Sequence, residues 1–407
     1  MSQRRRRKRR KQLRHERHLS LGHKRVAVGT GLSVGAALGM TATAQATDYT
    51  VANTNPSGTG SLAEAMTDQD NGTGPDRILF QSGLSGSITL TSDLTTVDEA
   101  LQVIGPGANV LAVNGNNAHR IFNVVSGGDL TVSGLTMTNG NVGLNPGGAI
   151  QNQSGTVTVQ DSNITGNTSR YGAGIYSGYG HLTVQRSSVS GNNDYYGIRT
   201  RMDDTTIQDS TISGNHSYGL RISHASAHIQ NSTISGNTGA GLGGVYGYFY
   251  LTSTAVSDAG AGSDIFNQTG STFAADFSLI EDTGGNSITG ANNITGVDPA
   301  LGALGSNGGP TPTKRPSNTS PLLDKGSGGG TDQRGQPRPF DIASIPNTGN
   351  GADIGAVELQ AADLASPAAP APTTPTTPKK KKKCKKKKHK RSAEAAKKKC
   401  KKKKHHH

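Results

Sequence analysis

The sequence predicts an all-β protein: a right-handed parallel β-helix (a solenoid) of about 22–25 residues per coil, with capped ends and disordered basic termini. Three observations carry this expectation. Four stretches superpose: VTVQDSNITGN from Val157, LTVQRSSVSGN from Leu182, TTIQDSTISGN from Thr205 and AHIQNSTISGN from Ala227, with starts 25, 23 and 22 residues apart. Self-similarity at such a period marks a solenoid. A unit this short has no room for a βαβ crossover, which takes about 30 residues. The 407 residues include 56 Gly and no Trp, which suits thin stacked coils rather than one thick core.

Each copy begins as an alternating run rich in β-branched residues, the pattern of strand rather than helix. Val159, Val184, Ile207 and Ile229 share one position, and Ile164, Val189, Ile212 and Ile234 another. A third apolar series lies in glycine-rich surroundings: Ile150, Ile175, Ile198, Leu220 and Leu242. One coil therefore holds about three short strands, each pairing with its equivalent about 4.8 Å away. Asn167, Asn192, Asn215 and Asn237 are expected to stack as a structural ladder at a bend, where Asn tolerates left-handed backbone and the preceding Gly relaxes it. Ser162, Ser187, Ser210 and Ser232 form a second expected ladder.

Taken in order, residues 1–46 read as an export signal. A basic run is followed by apolar, Gly-rich Val26 to Met40, then Ala44-Gln45-Ala46, with cleavage expected near Ala46. The apolar run is short for a membrane span of about 20 residues. Residues 47–129 are the N-terminal cap and first coils. Within them Ser61 and Glu64 have capping-box spacing, so a short helix over Ser61 to Asp68 should cover the open end of the first coil. Residues 130–260 are the regular coils, and 261–360 are irregular coils followed by a C-terminal cap. Ala361 to Pro378 is a Pro/Thr/Ala linker, expected to be extended. The tail, 379–407, is a Lys-rich run that repels itself. Cys384 and Cys400 lie in that tail; with His405 to His407 they are too few and too loose for a zinc site, so no metal is assigned.

Two regions carry family resemblances. GSLAEAM, D-x-I-x-F, GPGA and R-x-F, in that order between Tyr49 and Asn141, resemble the N-terminal region of bacterial secreted β-helix proteins named for a CSLREA motif. Gly60 stands where that motif has Cys and Ala63 where it has Arg, so any role of that Cys is lost. Further on, SPLLDKGSGGGTDQRGQPRP and ADIGAVEL resemble the choice-of-anchor Q domain, which implies a surface protein. The residues carrying this match include Asp324, Asp332, Arg334, Arg338, Asp353 and Glu358, read as an ion-paired end cap or, alternatively, a cation site.

Charge is segregated. Of 42 Lys and Arg, 12 fall in residues 1–25 and 18 in 379–404, leaving 12 in the body against 26 Asp and Glu. An acidic body argues against nucleic acid as partner, since such domains are basic on the fold itself. The tail points instead to an anionic wall polymer or membrane surface, with no transmembrane anchor, and the localisation expected is secreted or cell-surface. Asp161, Arg186, Asp209 and Asn231 share a coil position and alternate in charge, which reads as ion pairs along the outer wall. Arg and Tyr cluster at one place in the body. Tyr176, Arg199 and Arg221 follow the third apolar series, with Arg201, His224, Tyr196 and Tyr218 close by and Asp203 and Asp204 beside them. Guanidinium forks suit carboxylates and Tyr faces suit sugar rings, so these seven residues are the candidate contacts for an acidic polysaccharide. No catalytic pair stands out. The function expected is an exported β-helix protein, non-enzymatic, in adhesion or glycan contact and without a cofactor; the alternative is a polysaccharide lyase or glycoside hydrolase, which as a lyase would use Ca²⁺.

Overall fold

The computed structural model describes residues 47–365 apart from 70–74 and 261. The export signal, residues 366–378 of the linker, the Lys-rich tail and Cys384 and Cys400 lie outside the described residues. Thr47 onward is the β-helix that the repeat predicts. Three parallel sheets run its length, with eleven, ten and seven strands among the described residues. Sheet 1 contains Thr156–Gln160, His181–Gln185, Asp204–Gln208, Ser226–Gln230 and Tyr248–Thr252. Sheet 2 contains Asn163–Thr165, Ser188–Ser190, Thr211–Ser213, Thr233–Ser235 and Ala255–Ser257. Sheet 3 contains Ile150–Asn152, Ile175–Gly178, Tyr196–Arg201, Tyr218–Ser223 and Leu242–Val245.

Like residues pair with like. Val159 is in register with Val184, Val184 with Ile207, and Ile207 with Ile229. Ile164, Val189, Ile212 and Ile234 pair in turn on sheet 2, and Ile150, Ile175, Ile198 and Leu220 on sheet 3. All are buried in one continuous core. Farther along, Phe249 and Phe273 stack at 4.8 Å. At the start of the solenoid the helix Leu62–Asp68 turns Leu62, Ala65 and Met66 onto the core. Ser61 Oγ accepts from the Glu64 amide at 3.2 Å, and Glu64 reaches back to the amide of Gly60 at 2.6 Å, one residue before the N-cap.

The side-chain ladders are internal. Asn167, Asn192 and Asn215 each donate Nδ2 to Oδ1 of the next Asn at 2.9, 2.9 and 3.0 Å, the last reaching Asn237. The left-handed residue of each bend is the glycine before it (Gly166, Gly191, Gly214, Gly236), not the Asn. The lack of a Cβ makes that conformation cheap for Gly, so the Asn is free to turn its amide inward. The Ser hydroxyls do not bond one another. Each donates to the carbonyl two residues before it. Ser187, Ser210 and Ser232 accept the main-chain amide of the previous coil's Ser, and Ser162 accepts that of Leu135.

The C-terminal region corrects the expectation of an end cap. It lies along the flank of the solenoid, on sheet 2. Thr211 Oγ1 donates to Gln333 Oε1 at 2.6 Å, the Ala356 amide to Thr233 Oγ1 at 2.9 Å, and the Gly355 amide to Ser253 O at 2.9 Å. Ala255, Leu279, Leu322 and Ile354 form a core across this contact. The reason is the small outward residues of sheet 2. Ser188, Ser190, Thr211, Ser213, Thr233, Ser235, Ala255 and Ser257 leave a surface that another segment can approach closely, and all are buried. In the earlier strands Thr136–Thr138 and Asn163–Thr165 only the middle residue is buried.

This docking also corrects the outer-wall reading. Arg186 holds Asp161 through two bonds of 2.8 and 2.9 Å, but Asp209 and Asn231 are buried, with Arg338 and Gly328 of the C-terminal region against them. Within that region Arg334 pairs with Asp332 at 2.9 Å and with Asp363 at 3.1 Å, and Arg338 Nε lies 3.4 Å from Glu358. The carboxylates of Asp332, Asp353 and Glu358 accept main-chain amides on both oxygens. They organise loops rather than converge on a common point. Asp363 belongs to the short helix Ala361–Ala365, so the expected linker begins as part of this network and not as extended chain.

Candidate functional site

Sheet 3 brings together five of the seven candidate residues. Tyr176, Arg199 and Arg221 occupy one outward position in three successive coils, and Tyr196 is in register with Tyr218. Alternation along a strand puts Tyr176, Arg199 and Arg221 on the outer face while Ile175, Ile198 and Leu220 point inward. Tyr196 and Tyr218, two residues before the inward Ile198 and Leu220, break that alternation at the intervening glycine, and their rings lie against the arginines. The two Tyr rings lie 5.6 Å apart. Each arginine lies against two rings. Arg199 is 4.9 Å from the centre of Tyr171 and 5.2 Å from Tyr196; Arg221 is 5.1 Å from Tyr218 and 5.8 Å from Phe266. These are cation–π distances. Gly243 follows Arg221 in register on the next coil, and a Cβ there would meet the Tyr218 ring at 2.7 Å. The missing side chain leaves room for both the Tyr218 ring and the Arg221 stem, which a Cβ would meet at 3.0 Å.

The stacking changes what the arginines offer. The sequence places both as open forks; Arg221 is only 8% exposed, and one of its nitrogens, Nη2, donates to Gln268. Its Nη1 and the Nε of Arg199 are buried without a partner. Burial pulls the Arg221 pKa down, and the neighbouring charge of Arg199 adds to this. Burial raises that of Tyr218, against the pull of Arg221. Among the described residues, none of Arg199, Arg201 and Arg221 makes an ion pair with a carboxylate. Two like charges on adjacent strands, partly desolvated and without a paired carboxylate, can take an anion.

The remaining two candidates lie at the edge of this cluster, one at the end of the same sheet and one on the bend that follows it. Arg201 is at the strand end, 5.8 Å from the ring of Tyr179, and is exposed. His224 is on the bend from sheet 3 to sheet 1, 5.0 Å from the ring of Tyr246. Tyr179, Met202, His224 and Tyr246 hold the same place in four successive bends, all with positive φ between 48° and 64°. The first three border a shallow groove of about 510 Å³ whose lining includes His181, Asp203, Asp204 and Tyr248. In its floor the Asp203 carboxyl accepts the Ser177 hydroxyl, and Asn152 Nδ2 donates to Ser177 Oγ at 2.9 Å. Burial pushes the Asp203 pKa up to about 6. The sequence pattern does not single out Tyr179, His181 or Tyr248. A usable signal is their fixed offset from the third apolar series, which marks the bend residues of every coil.

The family described as "Periplasmic copper-binding protein (NosD)" matches residues 86–268, the stretch that holds most of the coils. No curated protein matches the sequence. Among solved structures, ORF18 of Geobacillus virus E2 is similar over 60% of this chain and 60% of its own length, at 9% identity and a TM-score of 0.37. The chain thus spans less than two thirds of that structure. An exported β-helix protein is consistent with the match to a periplasmic family. Among the described residues, no helix is long and apolar enough to cross a membrane.

Proposed function

We propose that the protein is a non-enzymatic surface or wall-associated β-helix protein whose third sheet retains an acidic polysaccharide. The observation that supports this reading is the pair of ring-stacked guanidiniums, Arg199 and Arg221, with buried N–H groups unpartnered and, among the described residues, no carboxylate paired with them. A uronate supplies the missing acceptor, while Tyr171, Tyr196 and Tyr218 hold the guanidinium planes. The export signal and the tail's affinity for an anionic wall polymer or membrane surface belong to the same proposal.

The copper named for the similar family does not fit the described residues. Copper favours imidazole, thiolate and thioether ligands. Among the described residues, the one group of three His, Cys, Asp or Glu side chains near enough to share an ion is Asp258, Glu281 and Asp298, all oxygen donors, and Lys314 already lies 3.6 Å from Asp258. Retention on immobilised polygalacturonate at low salt tests the proposal. Wild type should be retained, and the double replacement Arg199→Ala/Arg221→Ala should bind at least about tenfold more weakly, since losing two charge-assisted contacts costs more than about 1.4 kcal/mol. Unchanged retention of the double variant removes the reading.

A further inference from the structure

We infer that the groove on the bend from sheet 3 to sheet 1 is a subsite for a neutral pyranose ring, next to the arginines that take the acidic residue. The inference rests on the glycan reading above and adds the class of polymer: one that joins neutral sugars to uronates. It starts from Asp203, in the groove floor. That side chain is only 4% exposed, and its Oδ1 has no hydrogen-bond partner, while Oδ2 takes the Ser177 hydroxyl. A buried acceptor left unmade costs about 1–3 kcal/mol, and a donor arriving from the groove would recover it. Nearby, Asp204 accepts the hydroxyl of Ser226 on one oxygen only.

The rest of the lining selects the ligand. Tyr179 and Tyr248 stand 55% and 52% exposed at the groove, Tyr179 with Arg201 against one face of its ring. An apolar ring flanked by a few placed acceptors is the usual make-up of a small-molecule site. A pyranose offers both halves: C–H faces for the rings and hydroxyl donors for the carboxylates. Among the described residues, no lysine or arginine lines the groove, and two adjacent carboxyls repel an anion, so a uronate does not suit it. A shared metal ion does not suit the place either, because His181, Asp203, Asp204 and His224 do not form a group close enough to ligate one ion. Arg199, Arg201 and Asp203 follow one another round the same coil, so a chain crossing it meets the guanidiniums first and the groove next.

Saturation-transfer NMR on the full chain tests this, with the β-1,4-linked tetramers of glucose, mannose, xylose and galactose as probes. At least one tetramer should receive transfer from the protein. Tyr248→Ala, which alters an exposed ring, and Asp203→Asn should each weaken that binding by about tenfold or more. Arg199→Ala/Arg221→Ala should leave it unchanged, which separates this site from the polyuronate result. No transfer to any of the four tetramers overturns the inference, as does transfer unaffected by both Tyr248→Ala and Asp203→Asn. Retention on polygalacturonate with no tetramer bound would sink the groove alone; a bound tetramer with no retention would sink the arginine reading alone.

Discussion

Asn192 shows how much one side chain carries inside a thin core. Its Nδ2 donates to Ile164 O at 3.0 Å and to Asn215 Oδ1 at 2.9 Å, and its Oδ1 accepts both the side chain and the main-chain amide of Asn167. Replacing it with Ala strands several buried polar groups on three coils at once. Each such group costs about 1–3 kcal/mol, and relaxation recovers part, so Asn192→Ala should lose about 2–5 kcal/mol. Chemical denaturation of the variant reads this directly; a midpoint within error of wild type would show that the ladder is ornamental. The ladder was legible because identical residues recurred at one offset from Gly. The division of labour inside the bend was not, since Gly-Asn spacing is the same whichever residue takes positive φ. The arginines carried a similar ambiguity. Their outward direction followed from the alternation after Ile198 and Leu220, but the rings of Tyr171 and Phe266 that cover them come from other coils.

At the scale of elements, the docked C-terminal region is the largest departure from what the chain announces. Its contacts with sheet 2 join residues more than a hundred positions apart, as in Thr211 with Gln333 and Thr233 with Ala356. No local period reports such pairs. A signal was present nonetheless: from Ser188 to Ser257 the outward residues of sheet 2 are all Ser, Thr or Ala, before Leu279 takes the position of Ala255 and joins the core of the contact. The prediction is an asymmetry between equivalent positions. Thr233→Arg places a long side chain where Gly355 and Ala356 approach, and should release the segment; Thr165→Arg, on the part-exposed strand Asn163–Thr165 of the same sheet, should not. Limited proteolysis reads the difference as faster cleavage within residues 305–360 for the first variant only. Equal cleavage of the two would mean that the segment is not held by this sheet.

For the whole molecule, the solenoid and the segment docked on it bury several acidic groups. Burial is the leading cause that lifts Asp353 to about 7 and Asp203 and Asp264 to about 6, and it also raises Asp76, Asp209, Asp324 and Glu358. Asp363 runs the other way: burial opposes its ionisation, but hydrogen bonds from Arg334 and the Gln360 amide, with the charges of Arg334 and Arg315, together outweigh that and lower it. The sign follows from proton counting. A carboxyl titrates near about 4 in the unfolded chain. Where its folded value is higher, the folded state holds more protons over the interval between the two, and stability falls as pH rises through it. The contribution of Asp353 is therefore full below about pH 4 and spent by about pH 7. Its size is on the order of a few kcal/mol, because each tenfold gain in proton affinity on folding corresponds to about 1.4 kcal/mol. Asp363 contributes in the opposite sense, and it is one group against seven. The denaturation midpoint of the described body should thus decline between about pH 5 and about pH 7, unlike that of a protein held by exposed ion pairs. Asp353→Asn should flatten the slope even though it lowers stability at every pH, since Asn cannot accept the Leu359 and Asp324 amides on both atoms. A midpoint that rises across this interval, or a slope that Asp353→Asn leaves intact, would show that these carboxyls are solvated and that the flank contact is looser than its buried network requires.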